Sequence, residues 1–403
     1  MPEGIGARDS GVLSGWRSEF PIVETCTYLV SHSLGAMPRR AAQYLEEYVA
    51  TWRERGVLAW QERWWDLGTE TADLLAPILG APRGSIAMHQ NVTVAQSIVA
   101  SCHTFTGRRR KVVLSDLEFP SNIYLYEGFR RYGADVVQVP SDDGIRIPLE
   151  RFLAAIDEET VLVPVSLVLF KSSSIVDATA IVEKAHRVGA RVVLDIYQAA
   201  GAVPVDLEGL EVDFAVGGSV KWLCGGPGAA YLYVRPDLAP AVRPAVTGWA
   251  AHAEPFAFET GPIRYAAPPR GFQTGTPNVP ALYGARAGYE IIAEIGVEAI
   301  RRTSLDLTRR IIDRAEAKGF RVNTPSADRD RGGTVTIDVP NGAAAAEELV
   351  RRHVIVDHRP GAGIRMAPHV YNTAAEVDHA LDTLEEIVAG AMVSGRSSSA
   401  PLT

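Results

Sequence analysis

The sequence is short of lysine, of basic charge and of long apolar runs, and each shortage excludes a class of protein. Only five of its 403 residues are lysine, and the formal net charge is −8. That charge argues against a nucleic-acid-binding surface, which needs a clustered basic excess. No stretch approaches the roughly 20 apolar residues that span a bilayer. We therefore expect neither nucleic acid nor a membrane among its partners.

Cysteine is equally scarce. The three cysteines, Cys26, Cys102 and Cys224, are widely spaced. An odd number without paired spacing offers neither a disulfide framework nor a zinc site, so no metal is predicted. The start of the chain also lacks the apolar segment of a secretion signal. A reduced, cytoplasmic setting is the expectation that follows.

The remaining composition is that of a globular protein, with 47% apolar and 22% charged residues. Short β-branched runs alternate with helical patterns between about residues 70 and 285. This alternation predicts an α/β fold, in which a mostly parallel sheet of seven strands has helices on both faces. A loop joins the last two strands, which predicts one antiparallel pair at the sheet edge. The predicted strands cover residues 85–89, 111–115, 135–139, 160–166, 191–195, 213–218 and 229–234.

The pattern changes after about residue 285, where two long helices precede three short strands and a closing helix. A smaller α+β domain is predicted there. We assign 1–60 to an N-terminal segment that packs with this small domain and 61–285 to the large domain. Residues 286–392 form the small domain, and 393–403 form a flexible tail.

Polar side chains follow several predicted strands, at the edge where open α/β sheets bind ligands. Asp195 ends one strand, and Gln198 lies three residues later. Ser219 and Lys221 follow the next strand, between two glycine-rich turns. Phe119 follows an earlier strand. These residue types at one edge suggest a site that combines an amine, a carboxylate and an aromatic ring.

One cofactor uses all of these groups. Pyridoxal phosphate needs a lysine amine, a carboxylate beside its pyridine nitrogen, a flat surface and a cradle for its phosphate. Val92 and Thr93 open a predicted helix whose N-terminal N–H groups favour an anion. Lys221 is the best-placed lysine, although Lys171 stays open as a supporting group. Of the others, Lys111 opens a strand, and two lie on amphipathic helices.

Several motifs occur in the order and spacing of a known family, over roughly residues 27–390. They are YLVSHSLGAMP, EFPSNIY, DIYQAAG, SVKWLCGGPG, TGWAAH, GFQTGTPNVPAL and GIRMAPHVYNT. The chain resembles the fold-type-I, class V aminotransferase-like enzymes that use pyridoxal 5'-phosphate, and within them the kynureninase-like enzymes most. The resemblance implies PLP fold type I and a homodimer whose subunits share their active sites.

The resemblance also implies a role for each cofactor-site residue. Lys221 would be the Schiff-base lysine and Asp195 would pair with the pyridine nitrogen, so these two are the catalytic candidates. Phe119 would stack on the ring, and Gln198 would hydrogen-bond the phenolic oxygen. The phosphate would be held by Val92, Thr93 and Ser219, with Trp249 and Thr276 reaching it across the dimer interface.

The chain departs from the kynureninase pattern at positions that recognise the substrate or tune the cofactor. Asn122, in the cofactor site, replaces an aspartate; Gln198 replaces a histidine, and Val220 a tyrosine. Thr276 stands where the family has an asparagine that recognises the aromatic ring. Residues 54–65 lack the family's substrate histidine. Because a site built to hydrogen-bond a group discriminates against analogues lacking it, these losses predict a different substrate.

The resemblance implies that Arg365 grips the substrate carboxylate as a bidentate fork, with Ser33 alongside. The expected reaction is cleavage at the β-carbon of an amino acid, by C–C hydrolysis or by C–S β-elimination. A class V aminotransferase is the alternative. A cysteine desulfurase is less favoured, because it needs a mobile thiol and Cys224 lies in a glycine-rich turn. A non-enzymatic role is disfavoured because Lys221 and Asp195 are both present.

Overall fold

The structure, a computed structural model, describes residues 15–397. Within this range the strands are Thr27–Tyr28 (β1), Ile86–His89 (β2), Lys111–Ser115 (β3), Asp135–Val139 (β4), Thr160–Ser166 (β5), Arg191–Asp195 (β6), Phe214–Gly218 (β7), Ala230–Val234 (β8), Arg321–Val322 (β9), Val335–Asp338 (β10), Val354–Ile355 (β11), Asp357–Arg359 (β12) and Gly363–Met366 (β13). The α-helices are Arg39–Arg55 (α1), Trp65–Leu75 (α2), Val92–Ser101 (α3), Pro120–Phe129 (α4), Leu149–Ala155 (α5), Ala178–Arg187 (α6), Val279–Ile295 (α7), Val297–Ala317 (α8), Gly342–Arg351 (α9) and Ala374–Ser397 (α10).

The central sheet has seven strands in the order β2-β8-β7-β6-β5-β3-β4. Neighbouring strands are parallel except around β8, which runs antiparallel to both β7 and β2. The seven predicted strands and the mostly parallel arrangement are therefore confirmed. The prediction of an antiparallel pair at the edge is wrong in its position, because β2 adds to the outer side of β8. All five residues of β8 are buried, as is typical of an internal strand.

The strands of the central sheet consist of apolar runs because both faces of the sheet are covered and their side chains are buried on either side. Val192, Val193 and Leu194 of β6 are fully buried. Successive side chains of a strand point to opposite faces, and here they enter two different cores. Val192 and Leu194 pack into one core with Ile181 of α6, whereas Val193 packs into the other with Ile98 of α3. The predicted helices on both faces are thus confirmed.

A second, four-stranded antiparallel sheet has the order β12-β13-β10-β9. Helices α8, α9 and α10 contribute Ile311, Leu349 and Leu381 to the core beneath it. This is the smaller α+β unit expected after the large sheet. The N-terminal β1 pairs in parallel with β11, with Thr27 opposite Val354.

The proposed domain boundaries stay predictions. Helix α7 runs across the boundary drawn between residues 285 and 286, and α1 packs against α7. Helix α10 continues through residues 393–397, which were assigned to the tail. The remainder of that tail, 398–403, and the first 14 residues lie outside the described range.

Between residues 15 and 397, no helix is both long enough and apolar enough to cross a membrane.

The loop that carries Lys221 rests directly on α7 at Gly288. A Cβ atom at Gly288 would lie 2.0 Å from the Leu223 carbonyl oxygen and 2.7 Å from the Cys224 carbonyl carbon. Gly284, one turn earlier, has no such neighbour, since its Cβ would lie 3.9 Å from a Leu45 methyl group. The helix therefore needs a glycine at the first position but not at the second.

Replacing Gly288 by alanine should destabilise the protein by at least about 2 kcal/mol, because a backbone carbonyl must move to admit the methyl group. Gly284→Ala is the matched control, and it should be neutral or stabilising by up to about 1 kcal/mol through its helix propensity. Urea unfolding of the two variants measures the difference. Equal stabilities for both would contradict the close contact.

Candidate active site

A cavity of about 200 Å³ lies at the carboxyl edge of the central sheet. Because β8 is the one reversed strand of that sheet, the other six strands end along this edge. Seven of the predicted site residues line the cavity together: Val92, Thr93, Phe119, Asn122, Asp195, Gln198 and Lys221. The other lining residues are Asn91, Ser121, Ser166, Val168, Phe170 and Tyr197.

The amine of Lys221 lies between two aromatic rings. Its Nζ is 4.1 Å from the ring centroid of Tyr197 and 5.6 Å from that of Phe119. No residue in the described part of the chain provides Nζ with a hydrogen-bond acceptor. Burial lowers the pKa of Lys221 to about 8, against the opposing effect of the Asp195 carboxylate. A substantial fraction of this amine is therefore neutral, and nucleophilic, slightly above neutral pH.

The Asp195 carboxylate is buried at the end of β6 and accepts a hydrogen bond at each oxygen. The Tyr197 backbone N–H donates to Oδ1 at 2.9 Å, and the Asn122 amide Nδ2 donates to Oδ2 at 2.9 Å. Gln96 fixes that amide by donating to Asn122 Oδ1 at 2.9 Å. Burial raises the pKa of Asp195, whereas the Asn122 and Tyr197 donors and the Lys221 charge oppose the shift. The arrangement suits a carboxylate that receives a further proton donor from the cavity.

Gln198 is held at both ends of its amide. Trp222 Nε1 donates to Gln198 Oε1 at 2.9 Å, and Gln198 Nε2 donates to the His32 carbonyl oxygen at 3.1 Å. An amide nitrogen carries two hydrogens, so one N–H of Gln198 is left for a ligand in the cavity.

Helix α3 begins at the cavity wall. The Asn91 side chain caps it by accepting from the Val94 N–H at 3.0 Å. The first N–H groups of a helix, here those of Val92 and Thr93, have no carbonyl partner within the helix. Together with the helix dipole they make this wall suitable for an anion.

Three predicted phosphate contacts do not line the cavity. Ser219 is buried beside it, where its hydroxyl donates to the Ala229 carbonyl oxygen at 2.6 Å and shares a short hydrogen bond with the Tyr289 hydroxyl. Thr276 is exposed, and the Trp249 ring is 39% exposed. The roles of these three residues stay predictions.

Arg365 lies outside the cavity lining but contacts it through Phe170. Its Nη1 donates to the Phe170 carbonyl oxygen at 2.7 Å. The forked edge expected to grip a substrate faces Asp357 instead, with Nε 2.8 Å from Oδ1 and Nη2 2.6 Å from Oδ2. The second Nη2 hydrogen reaches Ser33 Oγ at 3.3 Å. The bidentate contact that was predicted for a substrate carboxylate is therefore made with the carboxylate of Asp357.

Comparison with known proteins agrees with this geometry. The model of the family described as aminotransferase class-V matches residues 28–379. The chain belongs to this family. An uncharacterized aminotransferase, YcbU of Bacillus subtilis, is 33% identical over 92% of this chain and 96% of its own length. The kynureninase of Bacillus mycoides is 31% identical over 93% of this chain and 91% of its own length.

Solved structures agree on the fold. The apo cysteine desulfurase of Thermococcus onnurineus has a TM-score of 0.83 at 22% identity, covering 97% of this chain and 100% of its own. A lysine-to-alanine mutant of C-DES, with glycine covalently linked to its PLP cofactor, has a TM-score of 0.83 at 21% identity, covering 92% and 99%. The fold is therefore PLP fold type I, and the cofactor of this class V enzyme is pyridoxal 5'-phosphate.

The residues of the cavity fit that cofactor. Lys221 presents a desolvated amine, and Asp195 is a carboxylate that can accept one more proton donor. Phe119 offers a flat ring, and the start of α3 offers unpartnered N–H groups for a phosphate. Gln198 has a free N–H for a neighbouring oxygen. The four requirements of an amine, a carboxylate, a ring and an anion cradle thus meet at one cavity.

Five residues of the site were not predicted from the sequence: Tyr197, Glu118, Ser166, His32 and Asp357. Ser166 could have been found, because it ends a predicted strand at the same edge as Asp195. Asp357 gave no signal, since its partner Arg365 is opposite it only through the pairing of β12 with β13. Such a contact depends on strand register, which the spacing of the two residues does not reveal.

Glu118 is a buried carboxylate next to the cavity. The Ser166 backbone N–H donates to its Oε1 at 3.0 Å, and the Ser166 hydroxyl bonds its other oxygen. Burial raises the pKa of Glu118 to about 7, although the Ser166 hydrogen bonds act in the opposite direction. The nearby Asp195 charge adds to the rise. Around neutral pH this side chain is therefore only partly ionised.

This shift predicts that Glu118 contributes less to stability as the pH rises. The unfolded glutamate ionises near pH 4.3, so between about pH 4.3 and 7 the folded state binds more protons at Glu118, and the contribution of this residue to stability falls by about 4 kcal/mol in total. Glu118→Gln should remove this contribution, so raising the pH should disfavour folding less in the variant than in the parent protein. Urea unfolding of the apo-protein at pH 5 and pH 8 measures it, with the exposed Glu46→Gln as the control. A slope in Glu118→Gln equal to that of the parent protein would refute the assignment.

Proposed function

We propose that the protein cleaves an amino-acid substrate at its β-carbon, by hydrolysis of a C–C bond or by β-elimination across a C–S bond. The carrying observation is the amine of Lys221, which lies between two rings in a cavity that also contains the Asp195 carboxylate. Lys221 is the lysine that carries the cofactor. The similarity to kynureninases over more than nine-tenths of the chain supports the choice of reaction.

Bound pyridoxal phosphate supplies an electron-accepting ring that stabilises negative charge at the α-carbon of the substrate. Asp195 holds the positive charge of the ring nitrogen, because an adjacent carboxylate favours the protonated form. Val92 and Thr93 bind the phosphate through their N–H groups. Lys221 Nζ would move protons at the substrate's α- and β-carbons, for which its pKa of about 8 is suitable.

The remaining cofactor contacts are supplied by three side chains. Phe119 packs against the ring, and Gln198 donates its free N–H to the phenolic oxygen. Asn122 keeps Asp195 in place and donates to it, in the position where kynureninase-like enzymes have a second aspartate. An amide there leaves the pair with one negative charge rather than two.

The substrate is proposed to differ from kynurenine. Recognition of an aniline amine and a ketone requires buried polar partners, and each one missing costs about 1–3 kcal/mol. Thr276 offers one hydroxyl where an amide is expected, and residues 54–65 contain no histidine. The carboxylate of the substrate is still received by Arg365.

An aminotransferase is the second candidate, favoured by the similarity to the aminotransferase of Bacillus subtilis. The environment of this protein's own cysteines disfavours a desulfurase reaction. Burial raises the pKa of both Cys224 and Cys102 to about 12, and that of Cys26 also rises. None of the three lines the cavity, so a thiolate nucleophile has no source there.

The products formed from a panel of amino acids test the proposal. If the reaction is β-elimination, S-substituted cysteines should yield a thiol, pyruvate and ammonia. If it is C–C hydrolysis, a kynurenine-type substrate should yield alanine and an acid. Kynurenine itself should have a kcat/KM roughly 10²–10⁴ below that of the best substrate. Lys221→Ala should have no turnover, whereas Lys171→Ala should retain it. A 2-oxo acid with pyridoxamine phosphate left on the protein would instead establish transamination.

We also propose a homodimer in which each cavity is completed by the neighbouring subunit. Thr276 and Trp249 are exposed rather than turned into the cavity of their own chain. Trp249 belongs to a cluster with Trp65, Phe256 and Phe258, and the last two rings are 60% and 69% exposed. An apolar patch of this kind is typical of an interface between subunits.

Light scattering should give a mass twice that of the 43.5 kDa chain. Phe258→Ser should shift the protein toward the monomer and reduce its activity, because the patch loses apolar area and gains a hydroxyl. Tyr132→Ser, which replaces a ring that is 63% exposed outside the cluster, is the control and should stay dimeric. A fully active monomer would refute the shared site. The cytoplasmic location stays a prediction.

A further inference from the structure

Arg365 has one N–H left for a ligand. A guanidinium has five N–H groups. Two of them bond Asp357, one bonds the Phe170 carbonyl oxygen and one bonds Ser33 Oγ. The remaining hydrogen is on Nη1, the nitrogen that also contacts Phe170 in the cavity wall. A carboxylate bound through a single N–H depends strongly on where that hydrogen points.

Asp357 is held by more donors than Arg365 alone supplies. His32 Nε2 lies 3.1 Å from its Oδ1, and Ser33 Oγ donates to Oδ2 at 2.9 Å. Arg359 Nη2 lies 2.9 Å from Oδ2. Burial alone would raise the pKa of Asp357, but the hydrogen bonds from His32 and Arg365 hold it well below its usual range. A substrate carboxylate, with fewer donors available, therefore does not displace it.

The tautomer of His32 follows from its partner. A carboxylate can only accept, so Nε2 carries the hydrogen. Burial lowers the pKa of His32 to about 4, which keeps the ring neutral. Its Nδ1 is buried and has no hydrogen-bond partner among the described residues. The ring therefore makes one polar contact, and that contact is to Asp357.

His32 also connects this cluster to the cofactor cavity. Its backbone carbonyl oxygen accepts from Gln198 Nε2 at 3.1 Å, and Gln198 lines the cavity. One residue thus bonds the cavity wall through its main chain and Asp357 through its side chain. Asp357 and Arg365 are opposite each other in the pairing of β12 with β13, so the backbone hydrogen bonds of the sheet fix the register of these two residues.

We propose that His32 and Asp357 form a positioning pair that aims the free N–H of Arg365 at the carboxylate of the substrate. His32 fixes the Asp357 carboxylate, and Asp357 fixes the guanidinium relative to the cavity that contains Gln198 and Lys221. The inference rests on the proposed function in one respect, namely that Arg365 receives the substrate carboxylate.

The test compares two ligands: the amino acid turned over fastest in the product assay, and the amine that lacks only its carboxylate. His32→Ala and Asp357→Asn should raise KM for the amino acid roughly 10-fold to 100-fold, the range of one charge-assisted hydrogen bond, with kcat within threefold. For the amine, kcat/KM should stay within twofold. A merely structural effect would reduce turnover of both ligands together.

Three further variants sharpen the result. His32→Asn should restore most of the lost affinity, since its amide can donate to Asp357. The double variant His32→Ala with Asp357→Asn should be no worse than Asp357→Asn alone, because both changes act through one carboxylate. His186→Ala breaks another histidine–aspartate contact, 2.9 Å long, near the opposite edge of the sheet, and should leave KM unchanged. Urea unfolding and pyridoxal phosphate affinity monitor the folding of each variant.

The possible failures are distinguishable. If Arg365→Lys alone abolishes the preference for the amino acid while His32→Asn, His32→Ala and Asp357→Asn all keep it, the positioning pair is wrong and the role of Arg365 stands. If Arg365→Lys also keeps that preference, Arg365 does not receive the carboxylate, and the proposed function loses that contact together with the inference. Equal losses for amino acid and amine in His32→Ala and Asp357→Asn would overturn the pair as well.

Discussion

The amine of Lys221 lies between the rings of Tyr197 and Phe119, where it has lost water without gaining a hydrogen-bond acceptor from the described residues. Burying a charged ammonium in such a place costs free energy, so the neutral form of the amine becomes populated near neutral pH. The Asp195 carboxylate limits this effect and keeps the pKa near 8 instead of lower. The loop that holds Lys221 in this position depends in turn on Gly288, which lets α7 approach it closely.

Two groups of charges lie on different elements, one in the cavity and one beside it. Asp195, supported by Asn122, lies at the end of β6 in the central sheet. Arg365, Asp357 and Arg359 lie on β12 and β13 of the second sheet, where two cations share one carboxylate and leave one net positive charge. One excess positive charge matches one carboxylate on the ligand. A substrate of the proposed kind that spans these groups would have its amino group near Lys221 and its carboxylate near Arg365.

The sequence predicted much of this arrangement because the fold places strand ends together. Asp195, Lys221, Phe119 and the start of α3 follow four different strands, and the parallel sheet brings them to one edge. Contacts that depend on strand register were beyond prediction: Asp357 takes the fork of Arg365 because β12 and β13 pair at those two residues. The buried Glu118 was missed for a related reason, since its partner Ser166 is 48 residues away.

The contact between Gln198 and His32 connects the wall of the cofactor cavity to the group of charges around Asp357. Gln198 accepts from Trp222 and donates to the His32 carbonyl oxygen, so its free N–H has a fixed direction. The same His32 holds Asp357 and, through it, Arg365. A displacement of the loop that contains His32 would therefore move the donor at the cofactor side and the donor at the carboxylate side together.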